Sequence, residues 1–370
     1  MVETPWIKKE QIETPALLID LDVFEDNMRI MADFMKDKKA KLRPHFKSYK
    51  CPIISHKQIA AGAKGITCAK LGEAEVLLES GIKDVLIANQ IVEPAKVFRL
   101  TGLARAYPES KISVAVDRIE NIEALSKAAV KYGSTLYILI EVDVGMERCG
   151  VNTPEEVLTL ARKVIDSEGL VFDGIQGYEG HLVYDLNAPP RLTDKVKRQG
   201  VKQMIEKVGK IKDYLEKKDI KVNEISGGGT GTYYITGDNT IWTEIQAGSY
   251  IFMDSVYNRV DLPFKNSLTI LASVMHKRPG IAITDAGLKV ISVEQGPPIV
   301  KDYPHLKTRG KLSEEHGLII DPKDELAYLE KIEFIPSHCC TTVNLHDKYY
   351  CVRNGVLEAI WPITGRGKSQ

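Results

Sequence analysis

Several short segments carry the residue types that do chemistry. Arg43-Pro44-His45-Phe46-Lys47-Ser48-Tyr49-Lys50 sets Lys47 among other cations. Neighbouring positive charge and partial burial disfavour an ammonium ion and free a nucleophilic amine, the form that makes a Schiff base with an aldehyde cofactor. A solvated basic loop has the same composition, and the local sequence leaves both readings open. Ser226-Gly227-Gly228-Gly229-Thr230-Gly231 offers successive glycines whose N–H groups can converge on an anion, with the Thr230 hydroxyl beside them. A plain flexible turn is the other reading. No Walker pattern lies nearby, which argues against a nucleoside triphosphate. Gln246-Ala247-Gly248-Ser249-Tyr250 could complete an anion site.

In Gln176-Gly177-Tyr178-Glu179-Gly180-His181, a histidine suits a general base, although a lone histidine is more often structural. Arg148, in Asp143-Val144-Gly145-Met146-Glu147-Arg148-Cys149-Gly150, could lie beside a planar cofactor or close a salt bridge at a strand end. Ile335–Asn344 reads as a strand, which puts His338 and Cys340 on one face. Imidazole plus thiolate is a borderline-soft pair suited to Zn²⁺, and two protein ligands leave a shell for substrate and water to fill. An alternating strand with cysteine in the core is the competing reading. Ser313-Glu314-Glu315-His316-Gly317 is a second polar cluster with a candidate ligand or supporting role.

These segments need elements to hold them. Apolar runs at Leu42–His45, Ile66–Ala69, Val85–Ala88, Ile112–Val116, Leu136–Val142, Phe172–Tyr178, Val222–Ser226 and Thr243–Gln246 read as strands. Between them, Pro52–Gly62, Glu73–Ser80, Pro94–Leu103, Ile119–Tyr132, Pro154–Ser167 and Arg191–Lys217 read as helices. Near-continuous apolar strands alternating with helices predict a parallel sheet, and about eight βα units fit a (β/α)₈ TIM-like barrel. A doubly wound sheet is the runner-up but lacks G-x-G-x-x-G at its first turn. In a barrel the strands' carboxyl ends carry the chemistry, and the glycine loop follows the seventh strand, the usual phosphate position.

After Tyr250 the texture changes to Gly- and Pro-punctuated strands at Ser267–His276, Ile281–Asp285, Leu288–Val293, Glu333–Ile335, Lys348–Arg353 and Val356–Pro362, with an Asn354-Gly355 hairpin signal. This predicts a C-terminal, mostly antiparallel β domain, which Thr14–Asp20 could join. The expected division is a barrel over 22–255 and a β domain built from 1–21 and 256–370.

Lys plus Arg and Asp plus Glu number 50 each. That balance argues against bulk attraction to nucleic acid or an anionic membrane. No apolar run approaches the roughly 20 residues of a membrane helix. Met1–Glu13 has no signal-peptide core. The six cysteines, two of them adjacent, do not suggest a disulfide framework. A cytoplasmic chain is expected.

Together these pieces resemble the pyridoxal-phosphate enzymes of the D-threonine aldolase and eukaryotic-type D-serine dehydratase family. The resemblance runs from Thr14-Pro15-Ala16 to Trp361-Pro362. It rests on Arg43-Pro44-His45-x-Lys47, Arg148-Cys149-Gly150-Val151, Gly248-Ser249-Tyr250 with Phe252-Met253-Asp254, Glu314-Glu315-His316-Gly317 and Pro336-Ser337-His338-x-Cys340. It implies an alanine-racemase-type barrel (fold type III of pyridoxal 5'-phosphate enzymes) followed by a β domain. It implies that Lys47 is the Schiff-base lysine and that Tyr178 and Arg148 line the cofactor pocket. Gly228, Gly229, Thr230, Gly248 and Ser249 would hold the phosphate, His338 and Cys340 a divalent metal (Zn²⁺, Mn²⁺ or Mg²⁺), and His181 would act as a base. A homodimer is implied, with a small D-amino acid as substrate and no nucleic-acid or membrane partner.

His-x-Cys looks like the dehydratases, whereas Gln176–His181 and Phe252–Asp254 look like the aldolases. The expected reaction is retro-aldol cleavage of a D-β-hydroxy-α-amino acid to glycine plus aldehyde, with dehydration as the alternative. A racemase would need a second base, usually a partner's tyrosine. A cofactor carrier has no use for His-x-Cys, and a hydrolase barrel would need more strand-end histidines than His45 and His181.

Overall fold

The eight apolar runs between Leu42 and Gln246 fold as parallel strands. The computed structural model describes residues 7–183, 194–310 and 312–370. In chain order the elements are β1 (Ala16–Asp20), α1 (Leu21–Lys36), β2 (Lys41–Leu42), α2 (Pro52–Ala60), β3 (Ile66–Cys68), α3 (Leu71–Glu79), β4 (Asp84–Gln90), α4 (Pro94–Ala106), β5 (Lys111–Val116), α5 (Ile119–Tyr132), β6 (Leu136–Glu141), α6 (Pro154–Ile165), β7 (Leu170–Gly177), α7 (Asp194–Glu216), β8 (Glu224–Gly227), α8 (Tyr233–Thr236), β9 (Glu244–Ile245), β10 (Leu268–Arg278), β11 (Ile281–Thr284), β12 (Ile299–Val300), β13 (Lys307–Thr308), β14 (Gly317–Ile320), β15 (Lys331–Ile335), α9 (Cys339–Val343), β16 (Lys348–Arg353) and β17 (Val356–Pro362). Residues 191–193 of the expected long helix and residues 1–6 of the expected β domain lie outside the described residues.

The described residues divide into two compact units, one of 7–31, 48–53 and 249–367, the other of 32–47, 54–248 and 368–370. In the second unit the strand order is β2-β9-β8-β7-β6-β5-β4-β3. The ends of that order meet through a parallel bridge between His45 and Thr67, with Thr67 N–H donating to the Pro44 carbonyl at 2.9 Å, so the sheet closes as a barrel. Its helices carry one apolar face inward. In α5, Ile122, Leu125, Ala128 and Ala129 are buried, a helical spacing. In α6, Thr153 and Glu156 form a capping box and Pro154 occupies the first turn, fixing where the loop from β6 ends. Ion pairs link the strands: buried Arg43 Nε meets Glu244 Oε2 at 2.8 Å, and partly exposed Lys111 Nζ meets Asp173 Oδ2 at 2.7 Å.

The first unit is built on a nine-stranded sheet with main path β13-β14-β11-β10-β1-β16-β17, and β15 pairs with β10 and β12. Only the β1–β16 pairing is parallel. The Asn-Gly hairpin joins β16 to β17 with φ of 49° at Asn354 and 74° at Gly355, the left-handed pair that a two-residue turn requires.

Two expectations fail here, and one helix was not foreseen. Leu288–Val293 is not a strand: Gly287 passes so close to Glu314 that a Cβ there would lie 2.4 Å from its carbonyl oxygen, and the chain turns instead. Residues 335–344 are not one strand, since β15 ends at Ile335 and α9 begins at Cys339. Helix α1 was not expected, although Leu21, Phe24, Asn27, Met31 and Met35 are buried at helical spacing. No described helix is long and apolar enough to cross a membrane.

Candidate active site

Past β2 the chain enters a short 3₁₀ turn, Phe46–Ser48, at the carboxyl end of the parallel strands. The turn carries Lys47, half-buried, with its Nζ 5.5 Å from the centre of the Tyr178 ring. Lys47 N–H donates to His45 Nδ1 at 3.4 Å. Two of the neighbouring cations have partners of their own. Arg43 is 2% exposed and spends its charge on Glu244 and on Asp84, 2.8 Å from each. The Lys50 ammonium donates to the Gly365 carbonyl. The Lys47 amine faces the Tyr178 ring.

Tyr178 is packed between glycines. A Cβ on Gly180 would lie 2.6 Å from Tyr178 Cε1, and one on Gly229 would lie 3.2 Å from its Cε2. The glycine loop is thus shaped to admit the ring. Its donors are not distributed as expected, however. Gly228 N–H donates to Glu179 Oε2 at 3.1 Å, and Gly229 N–H donates to Thr232 Oγ1 at 3.2 Å. Both are spent within the protein. Gly231 N–H and Gly248 N–H, on buried residues, hydrogen-bond to nothing in the described structure. Buried N–H groups are rarely left unpaired. These two follow β8 and β9 and fit an anion such as the phosphate of pyridoxal phosphate.

The loop after β6 is stiffened by Asp143, whose Oδ1 accepts from Gly145 and Glu147 N–H at 2.9 and 3.1 Å. Lys207 Nζ donates to the Asp143 carbonyl at 2.6 Å, tying the loop to α7. His181 lies against this loop, its Nε2 2.7 Å from where a Cβ on Gly145 would be. His181 is exposed, and what partial burial it has lowers its pKa against the opposing charges of Asp143 and Glu147. Arg148 is exposed, and its charge acts on buried Glu141, whose carboxyl is pushed up by burial. Lys47, Tyr178 and the glycine loop are thereby brought together, and His181 is joined to the Gly145 loop. No hydrogen bond or ion pair connects His181 or Arg148 to Lys47.

In the other unit, His338 is the residue before α9 and Cys340 lies in its first turn. A strand is not what brings them together. The turn into the helix does, and it sets the Cys340 side chain near enough to act on the His338 imidazole. His338 Nδ1 meets Glu294 Oε1, which also accepts from Thr341 Oγ1 at 2.8 Å. Burial opposes protonation of His338, but the contacts with Cys340 and Glu294 and the charge of Asp254 push its pKa up to about 9. Burial pushes the Asp254 carboxyl up to about 6 although it accepts from Tyr257 and Cys339 N–H. Cys340 Sγ is 3.4 Å from Ser48 Oγ and 3.8 Å from Ser249 Oγ.

Among the described residues, no three His, Cys, Asp or Glu side chains are grouped to hold a metal ion. His338 and Cys340 could offer a metal two ligands, and a carboxylate on one imidazole nitrogen, as Glu294 is on Nδ1, is the usual support for a ligating histidine. Glu314 and Glu315 are exposed and pair with Lys289, and the segment containing them supplies none of these neighbours.

Residues 19–256 match the family model of the alanine racemase N-terminal domain, and residues 267–352 match that of a putative serine dehydratase domain. A 3-hydroxy-D-aspartate aldolase of Paracoccus denitrificans (strain Pd 1222) is 39% identical, over 98% of this chain and 95% of that one. The chain belongs to the D-threonine aldolase and D-serine dehydratase family. It is an enzyme of the lyase class. A D-threonine aldolase of Arthrobacter sp. is 40% identical over 97% of this chain and 94% of its own. The crystal structure of D-threonine aldolase from Filomicrobium marinum superposes with a TM-score of 0.92 at 36% identity, covering 99% of this chain and 98% of that one.

Three residues of this family member were not singled out from its sequence: Glu179, Asp254 and Glu294. Glu179 and Asp254 sat inside quoted motifs. Their buried carboxylates show their use only once the loops they bind are folded. Glu294 is 44 residues from His338 and has no local signal.

Proposed function

We propose that this protein is a pyridoxal-phosphate- and divalent-metal-dependent lyase that cleaves D-β-hydroxy-α-amino acids by retro-aldol fission to glycine and an aldehyde. The observation that carries the reading is the Lys47 amine beside Tyr178, next to a glycine loop whose buried Gly231 N–H lacks a partner. The aldolase relatives support the reaction and the D configuration.

Pyridoxal phosphate supplies the electron sink for the carbanion left when Cα–Cβ breaks, and the metal supplies a Lewis acid for the substrate hydroxyl. Lys47 would hold the cofactor through its amine, and Tyr178 would lie against its ring. Thr230, Gly231, Gly248 and Ser249 would receive the phosphate, and Arg148 would line the pocket. His181 would take the β-hydroxyl proton. Glu294, on Nδ1 of His338, would leave Nε2 as the nitrogen for the metal, with Cys340 as the second ligand. We read the enzyme as a homodimer, as the family resemblance implies, and as cytoplasmic, as its cysteine usage suggests.

Dehydration to an oxo acid and ammonia is the second reading. It is favoured by the serine dehydratase domain match, which spans His338-x-Cys340. Borohydride reduction of protein incubated with pyridoxal phosphate tests the site. A pyridoxyl group on the Lys47 peptide, together with glycine released from a D-β-hydroxy-α-amino acid, is expected. No label at Lys47 and no glycine would refute the reading.

A further inference from the structure

We infer that Glu179 is a positioning residue for the cofactor phosphate: its buried carboxylate sets which donors of the glycine loop face the anion. The inference rests on the reading of Lys47 and this loop as the pyridoxal phosphate site.

Glu179 is 1% exposed. Its Oε2 accepts Gly228 N–H at 3.1 Å, and its Oε1 accepts the hydroxyls of Thr232 and Thr236 at 2.6 and 3.0 Å. Burial pushes the carboxyl pKa up, against hydrogen bonds from Thr232, its own backbone N–H, Thr236 and Gly228 that pull it down, all of them from neutral donors. A buried carboxylate held by neutral donors alone is a costly arrangement. It ties β7's end to the loop after β8 at both the start of the loop and the first turn of α8.

The consequence is geometric. The peptide between Gly227 and Gly228 is held at both ends, since the Gly227 carbonyl accepts Gln246 N–H at 2.8 Å while Gly228 N–H is on Glu179. Gly228 can take this conformation because its φ is +74°. Thr232, oriented by Glu179, in turn takes Gly229 N–H. With 228 and 229 turned inward, the next glycine N–H, that of Gly231, is the one left buried and unpartnered. Glu179 therefore acts through the loop and touches no phosphate itself.

The test compares pyridoxal phosphate with pyridoxal, which lacks the phosphate, by titrating cofactor-free protein and following the absorbance of the Lys47 adduct. In Glu179→Met, affinity for pyridoxal phosphate should fall about 10- to 100-fold, the size of one or two lost charge-assisted hydrogen bonds. Affinity for pyridoxal should move less than about 3-fold. Glu179→Gln, which keeps an acceptor for Gly228 N–H, should recover most of the loss. If Glu179→Met does not fold, Thr236→Val decides, with a selective loss of a few-fold expected. An equal fall for both ligands in whichever variant folds, or no change, would overturn the inference. A wild-type protein that forms no adduct at Lys47 with either ligand would overturn the cofactor reading and this inference with it. A wild-type adduct with unselective variants would overturn the inference alone.

Discussion

The Nζ of Lys47 lies 5.5 Å from the centre of the Tyr178 ring, and the two residues follow strands three positions apart in the barrel order, β2 and β7. Closure of the sheet through His45 and Thr67 fixes one of them, and Gly180 and Gly229 fix the other. The amine is thereby presented to an aromatic face at the mouth where barrel enzymes work.

Lys47→Ala should abolish the absorbance of the bound cofactor and lower turnover by about 10³-fold or more, the scale expected when a covalent anchor is removed. Absorbance titration and initial rates on the same sample check it. Retained turnover would remove Lys47 from the mechanism.

Glu294 should matter through His338. Glu294→Ala frees Nδ1 and loosens the ring, and loss of such a supporting carboxylate typically costs 10- to 100-fold in metal affinity. Competition with a chromophoric chelator measures it. Cofactor absorbance should be unchanged.

The buried Arg43–Glu244 pair gives a prediction whose sign depends on pH. In the native protein burial raises the Glu244 pKa, but Arg43 and Lys64 outweigh it, so the folded carboxyl lies below its ordinary value. Its contribution to stability is present above the ordinary carboxylate pKa and is lost as pH falls through the folded one. Arg43→Met removes the dominant partner and leaves burial to win, so the folded pKa rises above the unfolded one. The variant should then be about 3–5 kcal/mol less stable near pH 7, as for a buried pair broken on one side. The deficit should shrink as the pH is lowered towards 5. Thermal melts across that range check it. A deficit that grows on acidification would contradict the assignment.

Much of the fold was legible because its periodicities are local. Alternating apolar runs and helical stretches mark the barrel, and Asn354-Gly355 marks the hairpin. The site was legible in part. Lys47 and the glycine loop stand beside strands that name themselves, but the cations expected to tune Lys47 are drawn off by partners, Glu244 and Asp84 in the case of Arg43, that are distant in sequence. The strand assumed for His338 and Cys340 failed because the chain leaves β15 at Ile335 and turns into α9 at Cys339. Which N–H of the loop is left unpaired depends on Glu179, a tertiary partner that no spacing shows.

Product analysis on D-threonine tests the central claim most directly. Protein reconstituted with pyridoxal phosphate and Zn²⁺ or Mn²⁺ is incubated with D-threonine, and glycine, acetaldehyde, 2-oxobutyrate and ammonia are all quantified. Equimolar glycine and acetaldehyde, with none from L-threonine, is the predicted result. 2-Oxobutyrate with ammonia and no glycine would contradict it and make this chain a dehydratase.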